Sequence, residues 1–372
     1  MQKDLIKSFE YLIDHPFTII QMSDREKFHT GLLQYALKIY PKLYKLIFDI
    51  HGEFNSKLEF ESIDLYIYES KDKKKPYVLV ESKFKTGLHL SRTKNGEVKQ
   101  IQKYADKFKD ASKGYLISLF PESENLKIND HVFIKEYKNI TFTGEILTQL
   151  ERIQEGDSKK EDPLLDLWVS YLKELKIIID FIKQQQLKLL NLNVYNNNKD
   201  FEDYSDELKL SGLFENYRLN LIKEEINEAI IQEKKVICFE KKNYEYFSRI
   251  DNTHGNALLH YEKKFENPPH EDFISYGIQW QTDKIKFYIR SKNKKVNKIR
   301  DEYLSKFGKL LQDKVFPDGI DLKLNPNGKF KSISIHEHSM FDDLKGIPDK
   351  IIELLNCLEN IKTSINEKSC SQ

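Results

Sequence analysis

Asp64, in Ser62-Ile63-Asp64-Leu65, precedes the triplet Glu81-Ser82-Lys83 by seventeen residues. Two carboxylates and an ammonium at that spacing can do phosphodiester chemistry, provided the chain folds back between them. Facing carboxylates repel each other, by about 0.2–1 kcal/mol on an ordinary sheet. A divalent cation between them reverses that sign, and a lysine beside them can hold and polarise a water.

The flanking sequence predicts the fold-back. Phe60 to Glu69 and Tyr77 to Phe84 are rich in Ile, Val, Leu and Tyr, and Lys71-Asp72-Lys73-Lys74-Lys75-Pro76 between them reads as a solvated turn. An antiparallel hairpin about Asp72 and Lys73 sets Asp64 opposite Glu81. Side chains alternate along a strand, so Glu81 and Lys83 share the Asp64 face. Ile63, Leu65 and Ile67 line the other face with Val78 and Val80, while Tyr66, Tyr68, Tyr77 and Leu79 make the Asp64 face apolar as well. A hairpin apolar on both faces belongs inside a sheet covered on two sides. Carboxylates buried there need a partner.

The elements around the hairpin extend the pattern. Residues 3–14 and 24–47 read as helices, the second opening with Ser23-Asp24-Arg25-Glu26, a capping-box pattern. Glu26 therefore has two readings, a helix cap or a site residue, and His29 one turn later is a packed core histidine or a phosphate contact. After the hairpin, Gly96 to Phe108 reads as a helix with Val98, Ile101, Ala105 and Phe108 as its apolar stripe, and with Gln100 and Tyr104 together at one flank. Strands are expected at 114–120 and 131–137 and a helix at 145–153.

Asp64, Glu81-Ser82-Lys83, the following Phe84-Lys85-Thr86-Gly87, the Gln100-Ile101-Gln102-Lys103-Tyr104 element and the upstream Glu26-Lys27-Phe28-His29-Thr30-Gly31-Leu32-Leu33 together resemble the PD-(D/E)XK nuclease superfamily, in its RecB-like branch. The resemblance spans about residues 20–120, and Ile63 stands where the family's proline often lies. It implies a restriction-endonuclease-like α/β (α+β) fold, with a mixed central sheet flanked by helices, and a Mg2+-dependent nuclease, Mn2+ being the alternative ion. Asp64, Glu81 and the Ser82 carbonyl would hold the metal, and Lys83 would orient or help deprotonate the attacking water and stabilise the charge developing on the phosphate. Glu26 would hold a water beside the metal, while Gln100 and Tyr104 position the site. DNA is the expected substrate and RNA the alternative, in bacterial restriction or antiphage defence, as a homo-oligomer or a defence-complex subunit. A noncatalytic nucleic-acid-binding or assembly protein is the rival reading.

Composition bounds the rest. A chain of 372 residues exceeds a typical single domain. The boundaries expected are a nuclease-like domain at 1–160, a long helix and linker at 161–206, and a C-terminal α+β domain at 207–372. The helix, 164–190, carries an apolar stripe that includes Leu165, Trp168, Leu172 and Leu175, and the Asn-rich 191–206 is the linker. A net charge of +1 supplies no global field, so nucleic-acid binding must come from local patches. Cys238, Cys357 and Cys370 are far apart with no C-x-x-C, which fits a reducing compartment. With no long apolar run, a cytoplasmic location and no membrane are expected.

The C-terminal part reads as helices near 214–232, 298–313 and 348–364 with a strand hairpin, 273–281 and 284–291, rich in aromatics. Those aromatics suit a core or a base-stacking platform. From Lys284 to Arg300 the chain carries Lys284, Lys286, Arg290, Lys292, Lys294, Lys295, Lys298 and Arg300 and no acid. That stretch is either a solvated face or a track for a phosphate backbone. His336-Glu337-His338 places two imidazoles on one strand face without a nearby third ligand.

Overall fold

A computed structural model describes residues 2–60, 63–72, 75–84, 90–93, 96–99, 104, 107–108, 111–119, 136–156, 161–184, 199–214, 217, 247–253, 256–264, 271–281, 284–291, 304–305, 309, 322–325 and 330–336. The protein is mixed α+β and divides into two compact units, 1–185 with 198–213, and 186–197 with 214–372. Among the described residues no helix is long and apolar enough to cross a membrane.

The first unit begins with α1 (Gln2–Ile13), the short α2 (Pro16–Ile19), α3 (Glu26–Ile39) and α4 (Lys42–Phe48). The helix expected over 24–47 is thus two helices. Pro41 lacks an amide proton and restricts the residue before it, so α3 stops at Tyr40. Asp49 then ends α4 in the left-handed conformation, at φ 51°.

A five-stranded sheet follows. Its strands are β1 (Phe54–Phe60), β2 (Ile63–Glu69), β3 (Val78–Lys83), β6 (Lys113–Ser118) and β7 (Glu136–Thr141), in that spatial order. β1, β2 and β3 pair antiparallel, whereas β3–β6 and β6–β7 are parallel. Every residue of β3 is buried, as befits a central strand with neighbours on both sides. The register Leu65–Val80, Tyr66–Leu79 and Ile67–Val78 is the one that the sequence predicts, and one step further it sets Asp64 beside Glu81. The sequence reading lacked β1, whose Leu58 pairs with Leu65.

The segment before β6 departs from expectation. Gly96–Lys99 is not the start of a helix but a strand, β5, paired antiparallel with β4 (Leu90–Thr93). Helical backbone is described only at Tyr104 and Lys107. The apolar spacing of Val98 to Phe108 fits a helix by sequence alone, but pairing with residues 90–93 claims its first turn. The Tyr104 segment still covers the Asp64 face, where Tyr104, Tyr66, Leu79 and Ala111 form one buried cluster with Tyr68 and Phe108; Ile63, expected on the opposite face, joins that cluster at the start of β2.

After β7, a π-helical turn at Phe142–Ile146 leads into α5 (Leu147–Gln154) and then α6 (Pro163–Gln184). The segment expected to stand between the domains instead supplies α6 to the first unit, where it packs along α1 and α3. Ser8 Oγ donates to Glu174 at 2.7 Å across the α1–α6 seam. Part of the expected linker is also a helix, α7 (Lys199–Glu207), whose Phe201 meets Phe9 edge-on.

The second unit contains a six-stranded antiparallel sheet ordered β12-β13-β11-β10-β9-β8. These are β8 (Phe247–Thr253), β9 (Asn256–Lys264), β10 (Phe273–Gln281), β11 (Lys284–Ser291), β12 (Leu322–Asn325) and β13 (Phe330–His336). The expected hairpin is β10–β11, with the predicted bounds. Of the helices expected at 214–232, 298–313 and 348–364, all but 214, 217, 304–305 and 309 lie outside the described residues.

Candidate active site

The site is built at the C-terminal end of β3. Lys83 is buried, and its ammonium touches Glu81 Oε1, lies 3.2 Å from Glu26 Oε1 and 4.0 Å from Asp64 Oδ2. It also donates to the Ser82 carbonyl at 3.0 Å. Three carboxylates from α3, β2 and β3 therefore share one cation. Exposure is graded: the Glu81 side chain is 0 % accessible, against 23 % for Asp64 and 27 % for Glu26. Among the described acids of the cluster, Asp64 and Glu26 are the ones that solvent reaches.

Asp64 is fixed from below, its Oδ2 accepting the Ser82 N–H at 2.8 Å. Glu81 is in a different state. Lys83 and the Tyr104 hydroxyl both lie near enough to favour its charge, and Lys83 contacts Oε1 directly. Burial, and next the Asp64 charge, raise its pKa to about 8 despite the lysine. Burial also acts to lower Lys83, but Glu81, Glu26 and Asp64 outweigh it, and the net shift is upward. Lys83 is therefore an ammonium at neutral pH, held as the internal counter-ion of the cluster.

Glu26 does not cap its helix. Arg25 occupies the N-cap position of α3 without a side-chain cap bond, and the Glu26 carboxylate faces Lys83. His29 is a core histidine, 0 % exposed, with its Nε2 3.0 Å from the Ser23 carbonyl and its Nδ1 accepting the Trp168 indole N–H at 3.2 Å. The accepted bond at Nδ1 places the ring proton on Nε2, the neutral tautomer. The imidazole is thus saturated, which leaves no nitrogen for a phosphate. Tyr104 is 3 % exposed and sits by Glu81, while Gln100 lies outside the described residues.

Among the described residues no group of three or more His, Cys, Asp or Glu side chains forms a ready metal cage. A hard divalent ion of the Mg2+ type does not need one, because it keeps several waters and binds through one or two carboxylates. The buried Glu81 carboxyl beside the part-exposed Asp64 fits that demand. The Ser82 carbonyl, the third expected ligand, is engaged by Lys83.

In the second unit, Lys284, Lys286 and Arg290 fall on alternate positions of β11, and Arg290 is ion-paired with Glu262 at 3.5 Å. Lys292, Lys294, Lys295, Lys298 and Arg300 lie outside the described residues, as do His254, Glu337 and His338. His260 is buried and bonded: Gln279 Nε2 is 3.2 Å from its Nε2, and the Tyr288 hydroxyl 3.4 Å from its Nδ1. Tyr288 and Ser275 also donate to Glu262.

Comparison with protein-family models, with curated proteins and with solved structures returned no match for this chain.

Proposed function

We propose that the first unit is a metal-dependent phosphodiesterase, a DNA-cleaving nuclease of the PD-(D/E)XK kind. The observation that carries this reading is the Lys83 ammonium enclosed by Glu81, Asp64 and Glu26, three acids from three elements around one buried cation, with the Glu81 carboxyl fully buried beside Asp64. The strand pattern, antiparallel β1-β2-β3 continued by parallel β6 and β7, supports the restriction-endonuclease-like form of the mixed sheet.

In this reading Asp64 and Glu81 hold a Mg2+ ion, with Mn2+ as a substitute. When bound, the ion neutralises phosphate charge and lowers the pKa of a water. Lys83 would orient the attacking water by hydrogen bonding and stabilise the charge growing on the phosphoryl oxygens. Glu26 keeps the ammonium aimed, and Tyr104 shields the buried side of Glu81. No side chain in the cluster is a covalent nucleophile, so water attacks directly. The basic residues from Lys284 to Arg300 supply phosphate contacts on DNA, and restriction or antiphage defence is the context, by analogy of fold.

The experiment is incubation of the purified chain with plasmid, linear duplex and RNA, with Mg2+ or with EDTA. Nicked or linear plasmid formed only with the metal is expected. Retarded but intact nucleic acid in Mg2+ and in Mn2+ would leave a binding protein on a nuclease-like fold instead, and degraded RNA with intact DNA would move the substrate.

A further inference from the structure

We propose that His29 and Trp168 are positioning residues that set Glu26 against Lys83, which makes α6 part of the site's support although it lies outside the 20–120 segment. The inference rests on the nuclease reading for its kinetic consequence, but not for its geometry. One imidazole ties three elements. Its Nδ1 accepts from Trp168 on α6, its Nε2–H donates to the Ser23 carbonyl ahead of α3, and its face lies on Phe84, the residue after Lys83. The Phe84 stack has ring centroids 3.4 Å apart and planes 6° from parallel. Tyr171, one turn along from Trp168, adds a hydroxyl 3.4 Å from the same Ser23 carbonyl.

Glu26 sits one turn before His29 on α3, so rotation of that helix moves both together. The Phe84 stack alone restrains His29 against sliding away from β3, but a flat ring contact leaves rotation in the ring plane open. The two nitrogen bonds close that freedom. With the ring pinned at Trp168 and Ser23, the Glu26 carboxylate arrives 3.2 Å from the Lys83 ammonium. Trp168 is 0 % exposed and its only polar atom is spent on this contact. Packing would accept a phenylalanine there; the indole N–H is what the imidazole needs.

The test is Trp168→Phe, alone and in a Glu26→Gln background, read by crystallography and by single-turnover cleavage of duplex DNA. The crystal structure of the single variant should show Glu26 drawn more than about 4 Å from Lys83, beyond ion-pair range. Turnover should fall about tenfold with KM within about twofold, and the same change made in Glu26→Gln should cost less than about twofold, since the effect travels through Glu26. His29→Phe, which keeps a ring against Phe84 and loses both nitrogen bonds, repeats the test if Trp168→Phe does not fold. Glu26 still seated on Lys83 in the variant crystal, or equal losses in both backgrounds, overturns the inference. If the wild-type chain cleaves nothing, the nuclease reading fails and the crystallographic separation decides this one alone.

Discussion

Glu26 and Lys83 are 57 residues apart in the chain and 3.2 Å apart in the fold. Their contact joins the first turn of α3 to the end of the central strand β3 and turns a pair of facing carboxylates into a charge cluster organised around one ammonium. Asp64 and Glu81 repel across the β2–β3 hairpin, and Lys83, in contact with Glu81, offsets that repulsion.

The Glu81 shift has a stability consequence in metal-free protein. Its pKa is about 8 in the folded state and near the ordinary carboxylate value when unfolded. Between those values the folded state holds the extra proton, so stability falls as pH rises through that window, by on the order of a few kcal/mol in all. Melting temperature measured in EDTA from pH 5 to pH 9 should drop in the wild type. Glu81→Gln should show a flatter profile and be the more stable protein at pH 9. Parallel profiles for the two proteins would mean that Glu81 is ionised in the fold throughout.

Lys83→Met removes the counter-ion and leaves three carboxylates together. Breaking a buried pair costs about 3–5 kcal/mol. Glu81 can limit that loss by taking up a proton, so the deficit should be larger at pH 8.5 than at pH 6. Chemical denaturation at the two pH values checks this. Cleavage should fall by orders of magnitude with DNA binding little changed, because the role proposed for Lys83 belongs to the transition state.

Asp64→Ala should abolish cleavage and remove the thermal stabilisation that Mg2+ gives the wild type. In EDTA, two effects oppose each other: the Ser82 N–H loses its acceptor, and Glu81 loses a repelling neighbour. Each is about 1 kcal/mol, so the metal-free melting temperature should barely move. A variant that keeps the full Mg2+ shift shows that Asp64 is not a ligand.

Substituting Lys292, Lys294 and Lys295 together by Ala tests the basic stretch separately from the chemistry. Each lost phosphate contact should make the slope of log K against log salt shallower by about 0.9, up to about 3 in all, for every duplex sequence alike. Cleavage of DNA already bound at low salt should stay near wild type. An unchanged slope would identify the stretch as a solvated face.

The sequence by itself determined the β2–β3 hairpin and its register. Alternation has a period of two, both faces are apolar, and a lysine-rich turn allows only one fold-back that keeps the apolar residues inside. Asp64, Glu81 and Lys83 follow from that register, and the β10–β11 hairpin was legible for the same local reason. Gly96–Lys99 was not, because its residues fit a helix until the partner strand at 90–93 is present, and strand preference depends on the neighbour. The capping pattern at Ser23 to Glu26 was equally ambiguous. Only the tertiary structure decided it, by bringing a buried ammonium within reach of the Glu26 carboxylate and spending the Ser23 N–H on the Phe17 carbonyl. The stripe on α6 could announce a buried face but not its partner. Contacts such as Trp168 to His29, 139 residues apart, arise from packing helices against a sheet, and no local spacing encodes them.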